Sequence, residues 1–302
     1  MASPSAYKLV KLASGVHSVH SLAHQETFHP VIGPVAEAEA LYVRQLGLVE
    51  RMRQHAGPFV IWDVGLGAAA NALTVLRATR EIACSIRLVS FDNTLEPLKF
   101  ALEHRESLGY LGGYEGQVQQ LLREHQISFG NNQQEVNWQV HLADFPTFLT
   151  QPAAQKVPKP HAIMFDAFSP AKNPAMWTLP LFTNFFRLLD SQRPCPLPTY
   201  SRSTMLRVTL LLAGFFVGVG QATGEKEETT IAANTLDLIS ERLDSKWLQR
   251  AHRSGSAEPM WEATYRQARL STETWEKLRV HPQFLSGETR PQRAFSNLTN
   301  IL

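Results

Sequence analysis

Four short apolar runs alternate with stretches of helical pattern, and this alternation limits the folds open to the chain more than any other feature. The runs are FVIWDV (59–64), IRLVSFD (86–92), NWQVHLAD (137–144) and HAIMFDAF (161–168). Each is rich in β-branched and aromatic residues and too short for a helix, so each is predicted as a strand. Helical spacing follows the first run and recurs at 95–105, 117–124, 179–189 and 203–213, with a glycine break at 109–116. Further strands are predicted at 197–200, 215–221 and 228–234, the last two as a pair. Short buried strands alternating with helices predict an α/β fold, a parallel sheet with helices on both faces. Three stretches are expected: a lead-in segment over 1–57, the α/β domain over 58–235 and a C-terminal helical extension over 236–302. The lead-in holds short alternating stretches and a helical pattern at 37–52, and a loop is expected at SGSAEP (254–259).

The 302 residues, 44% hydrophobic and 19% charged, are enough to bury a large core without metal or disulfide staples. A net charge of +2 permits a nucleic-acid partner without demanding one. Cys84 and Cys195 have neither CxxC nor metal-ligand spacing and fit a reducing compartment. The N-terminus lacks the apolar run of a secretory signal. The most apolar stretch, 206–220, is interrupted by Arg207 and too short to span a bilayer. A cytoplasmic protein with no membrane partner is the expectation. His17, His20, His24 and His29 cluster without ligand spacing, so they are read as surface or loop histidines, and no metal is expected. The residues leave the oligomeric state open.

The chemistry is expected along one edge of the sheet. DVGLGAAAN (63–71) follows the first strand, where Gly65 and Gly67 allow a tight turn into a helix N-terminus, a place for a nucleotide-like ligand. Ala70 replaces the third glycine of the dinucleotide pattern, which counts against NAD and leaves other adenosine cofactors open. Asp92, about twenty residues beyond the turn, can accept from ribose hydroxyls or cap a helix. Asp144 can accept from an adenine amine beside Phe145, or act as a cap in its turn. Asp166 ends the fourth run and is followed by Phe168, Ser169, Pro170, Lys172, Asn173, Pro174 and Trp177. The prolines make that stretch a rigid shelf. A carboxylate on such a shelf can orient a nitrogen nucleophile and take its proton.

DAFSPAKNPAMWT, with the glycine turn, SFD, LADF and TGEKEETTIAAN, resembles the methyltransferase domain of the bacterial tRNA-modifying MnmC family, from about Ser14 to Asn234. The resemblance implies a Rossmann-like class I S-adenosylmethionine-dependent fold. It implies methyl transfer to the aminomethyl nitrogen of a modified wobble uridine in tRNA. It makes Asp166 catalytic, places Gly65 and Gly67 beside the methionine part of the cofactor, Asp92 at the ribose and Asp144 at the adenine, and makes Glu37 a candidate at the cofactor or substrate edge. Phe168, Pro170, Lys172, Asn173 and Trp177 are the expected substrate side. The family's FAD-dependent oxidase domain has no counterpart in the 68 residues after Asn234, so the aminomethyl uridine is expected to be made elsewhere. Two differences stand out: the turn reads Ala68–Ala69–Ala70, and the segment before the last strand reads Glu225–Lys226–Glu227–Glu228. The alternatives are a methyl- or aminopropyltransferase of this fold acting on another amine, and an inactive binding module. Basic tail residues including Lys246, Arg250 and Arg253, interleaved with Trp247, Trp261, Tyr265 and Trp275, form either an RNA surface or a helix packed by its Trp side.

Overall fold

The central strands are apolar from end to end because both of their faces are covered. In the computed structural model, which describes residues 5–131, 133–224 and 227–285, strands β4 (Phe59–Val64) and β8 (Ala162–Phe165) are buried at every position. They pair in parallel, and β5 (Ile86–Asp92) and β7 (Glu135–Leu142) continue the parallel sheet on the other side of β4. The chain thus runs outward through β5 and β7, then returns across β4 to lay down β8. That reversal opens a crevice between the tips of β4 and β8, where α/β sheets bind ligands.

An antiparallel strand β6 (Gln126–Gly130) that the pattern did not reveal closes the far edge. Beyond β8 lies β9 (Pro196–Thr199), which pairs with β11 (Thr229–Ala233), itself antiparallel to β10 (Phe216–Gly220). The ladder is not continuous between β8 and β9; Pro196 and Pro198 bring no N–H donors to that junction. The sheet is therefore mixed, with a parallel centre.

Alternation along the strands sends side chains to two cores. Val60, Trp62 and Val64 face one, with α8 (Leu179–Leu188) and α9 (Thr204–Leu212). Phe59 and Ile61 face the other, with α3 (Ala70–Thr79), α4 (Glu96–Glu103) and α6 (Glu115–Glu124). The caps are those the residue types favour: Thr178 and Ser203 accept from the backbone N–H three residues on. The predicted 37–52 helix forms as α1 (Pro34–Ala38), a π-helical stretch (Glu39–Arg44) and α2 (Leu48–Arg53). Gly47, at φ +55, breaks it.

The lead-in stretch folds into an antiparallel ribbon, β1 (Tyr7–Lys11), β2 (His17–Ser21) and β3 (Glu26–Thr27). Val19 of the ribbon enters the α3-side core. From the C-terminal stretch, α10 (Ser245–Arg253) and α11 (Thr272–Arg279) bring Trp247, Leu248 and Leu278 into the α8-side core. Trp275 packs against that core, whereas Trp261 and Tyr265 are exposed. Of the acidic pre-strand segment, Glu225 and Lys226 lie outside the described residues. Glu228 pairs at 3.2 Å with Arg207, a buried α9 side chain that also donates to Thr229 O and Thr230 Oγ1. The carboxylate therefore offsets a buried cation. Among the described residues no helix is long and apolar enough to cross a membrane.

Candidate active site

Two strand tips meet at the crevice. The backbone N–H of Asp166 donates to Val64 O at 3.0 Å, and that of Gly65 donates to Phe91 O at 2.9 Å. Gly65 has φ +91, and a Cβ there would lie 2.6 Å from Asp166 O, so only glycine lets β4 turn so close to β8. The N–H of Gly67 donates to Asp92 Oδ2 at 2.9 Å, while Asp92 Oδ1 accepts from Asn93 at 2.8 Å and Thr94 at 3.3 Å. Asp92 thus ties the tip of β5 to the glycine turn. Burial raises its carboxyl above the ordinary range, against the pull of those N–H groups. Asp144 caps α7 (Phe145–Phe148), accepting from Thr147 N at 3.1 Å.

One cavity is lined by Gly65, Gly67, Asp92, Asp144, Asp166 and Glu37, so all six of these predicted positions are gathered there. Phe168 and Asn173 line it as well. Pro170 and Lys172 are not among its lining, and Lys172 is exposed. Trp177 departs further from expectation. Its side chain is fully buried, and its indole N–H donates to Phe168 O at 2.7 Å. It supports the shelf from beneath instead of facing the cavity, because a large apolar ring next to α8 gains most from the core.

Four residues that the sequence did not assign to the site join it. Asn71, at the start of α3, donates through Nδ2 to Asp166 Oδ2 at 2.7 Å; its Oδ1 is buried with no partner among the described residues. Glu26 accepts from the N–H of Ser169 at 3.1 Å and from its hydroxyl at 2.7 Å, clamping the ribbon to the shelf. The ring of His24 stacks on Phe168 at 4.0 Å, and Phe28 meets Phe168 edge-on at 5.4 Å. Asn71 and His24 left a trace in the sequence, as the last residue of the glycine-turn string and as a member of the histidine cluster, whereas Glu26 and Phe28 left none.

His29 lies in a loop, one of the two places expected for the clustered histidines, but its side chain is turned inward. Its side chain is 8% exposed, with Nε2 3.6 Å from Asp166 Oδ2 and Nδ1 3.9 Å from Glu37 Oε1. The phenols of Tyr42 and Tyr200 donate to Phe165 O and Ala167 O on either side of Asp166. Burial first, and Asp166 second, raise both above the ordinary tyrosine value and keep them neutral.

An adenosine ligand carrying a charged tail fits this construction. Two side-chain-free positions in the one glycine turn open the crevice, carboxylates on successive strand tips offer acceptors for hydroxyls and an amine, and Phe91, Ala143 and Phe145 supply an apolar wall. The profile of the S-adenosyl-L-methionine-dependent methyltransferase family matches residues 114–235. The tRNA 5-methylaminomethyl-2-thiouridine biosynthesis bifunctional protein MnmC of Pseudoalteromonas atlantica strain T6c is 27% identical over 230 residues. That match covers 71% of this chain and 32% of the relative. This chain thus spans about a third of the length of the curated relatives it matches. The crystal structure of MnmC2 from Aquifex aeolicus superposes with a TM-score of 0.66 at 20% identity, covering 91% of this chain and 83% of that one. A spermidine synthase structure superposes at 0.50 with 12% identity, covering 93% and 83%, a likeness of fold alone. Family profile, curated relatives and fold point the same way: residues 114–235 match the S-adenosyl-L-methionine-dependent methyltransferase family, and the chain is similar to the MnmC proteins over about 70% of its length.

Proposed function

We propose that this chain methylates the aminomethyl nitrogen of a modified wobble uridine in tRNA. The observation that carries the proposal is the Asp166 carboxylate, held by Asn71 at the meeting point of two strand tips, beside the glycine turn. Bound there, S-adenosyl-L-methionine supplies a methyl group already activated by its sulfonium. The protein's task is then alignment and proton management rather than nucleophilic attack by a side chain. Gly65 and Gly67 give the methionine part close approach to backbone. Asp92 keeps lone pairs for ribose hydroxyls, and Asp144 with Phe145 receives the adenine. Asp166 accepts an N–H of the substrate amine and aims its lone pair at the methyl carbon. The stacked pair of Phe168 and His24, with Asn173, forms the wall against which the uracil ring lies.

The tRNA partner draws support from charge. Lys246, Arg250 and Arg253 occupy one exposed face of α10, and the fields of Arg202 and Arg250 both reach buried Arg207. A phosphate backbone suits such a face. The test is mass spectrometry of nucleosides after incubating protein and cofactor with tRNA carrying aminomethyl uridine. Wild type should convert it to the methylaminomethyl form. Asp166→Asn should bind cofactor within about twofold by calorimetry and lose at least about 100-fold in turnover. Unmodified tRNA with wild-type protein overturns the reading.

A further inference from the structure

We propose that His29 is the proton acceptor of this site, drawing a proton from the substrate nitrogen by way of Asp166 and holding it between Asp166 and Glu37. The inference builds on the reading of the cavity as an amine methyltransferase site. Its footing is geometric. The imidazole stands between two carboxylates from different elements, one on the shelf after β8 and one on α1, and it lines the same cavity. The backbone of His29 is in the left-handed region at φ +46, immediately before Pro30. That conformation is unfavourable for a residue with a side chain, and here it delivers the ring to the carboxylates.

The chemistry asks for such a group. An alkylammonium near pKa 10 is about six pKa units too weak an acid for an ordinary carboxylate near 4. An imidazole near 6.5 narrows the gap by about 2.6 units. Flanking carboxylates favour the imidazolium once it forms. The other titratable groups lining the cavity are Asp166, Glu37, Glu26 on β3, His24, Asp92, Asp144 and the neutral phenol of Tyr200, with the neutral phenol of Tyr42 donating beside Asp166. Asn71, by donating to Asp166 Oδ2, favours the ionised form of that carboxylate, so that it conducts the proton without keeping it.

The step balances. The substrate enters as R–CH2–NH3+, paired with Asp166. One N–H proton crosses to His29 Nε2. The freed nitrogen lone pair forms the N–C bond to the methyl carbon, and the C–S bond breaks with its electron pair going to sulfur. A neutral thioether and R–CH2–NH2+–CH3 leave, and the imidazolium returns its proton to solvent between turnovers.

The test uses His29→Asn and His29→Gln across pH 6 to 9.5. Each variant should bind cofactor within about twofold of wild type, fall about 100-fold in kcat at pH 7, and regain rate with a slope near one as rising pH deprotonates the amine unaided. A fall of equal size at every pH marks a structural role and overturns the proposal. A second measurement needs no turnover. In the cofactor-loaded protein the His29 imidazole is titrated by NMR, and its midpoint should drop in Glu37→Gln. An unmoved midpoint overturns the relay. A normal His29 response in a protein that leaves aminomethyl-uridine tRNA unmethylated refutes the tRNA substrate and upholds the relay, so the two failures are distinguishable.

Discussion

Asp63 lies on β4 two residues before Gly65, wholly buried, with Ser90 Oγ donating to its Oδ2 at 2.8 Å and Trp138 Nε1 donating to Ser90 in turn. Its Oδ1 has no partner among the described residues. Burial pushes the carboxyl up to about 7, against the Ser90 hydrogen bond and with help from Asp166 and Asp92. The folded protein therefore binds this proton more tightly than the unfolded chain does. Its stabilising effect is complete below about pH 4 and is lost as pH rises through about 7. Thermal melts should show Asp63 removing roughly 2–3 kcal/mol of stability between pH 5 and pH 8. Asp63→Asn should flatten that slope; an unchanged slope would show the carboxylate to be ionised throughout. A string such as FVIWDV places this aspartate in a strand. Whether it is charged there depends on how completely the neighbouring strands and helices exclude water.

At the scale of elements, the two-residue strand β3 matters out of proportion to its length. Glu26 on it receives both polar hydrogens of Ser169, 143 residues away, and so joins the ribbon to the shelf that carries Asp166. Glu26→Ala leaves those donors without this acceptor, at a cost of about 1–3 kcal/mol if water does not replace it. Hydrogen exchange should quicken at residues 166–173 by at least about tenfold, with β4 and α8 unchanged. Exchange that speeds uniformly would instead indicate global destabilisation. The strong periodic elements were legible: the strands at 59–64 and 86–92 and the helix after Thr178 lie within a residue of expectation. Of the ribbon only short alternating stretches were legible and not their pairing, because HSVHS and ET carry few apolar residues to fix a register. Nor was β6, whose edge position needs little hydrophobic content.

For the whole molecule, the proposed tRNA partner raises the question of how a mildly basic chain would engage a polyanion. With a net charge of only +2, attraction must come from distribution rather than total. Lys246→Glu with Arg250→Glu should weaken tRNA binding by at least about tenfold at 0.1 M salt and lower the salt slope by about two. Cofactor affinity should not change, since α10 is not part of the cavity lining. Filter binding across a salt series measures both quantities. An unaltered slope would move the RNA surface elsewhere. The Trp-bearing tail resolves by the same logic: Trp247 and Trp275 serve the core, and the charged side chains of α10 are left to solvent.

By itself the sequence determined the parallel centre of the sheet, the glycine turn and the presence of carboxylates at successive strand tips. All of these follow from local period and residue type, which act over a few neighbours. Only the tertiary structure decided that His29 stands between Asp166 and Glu37, that Asn71 reaches Asp166, that Glu26 clamps the shelf, and that Trp177 faces the core. Such meetings join side chains far apart along the chain. They are fixed by how the layers pack, and no local pattern carries that information.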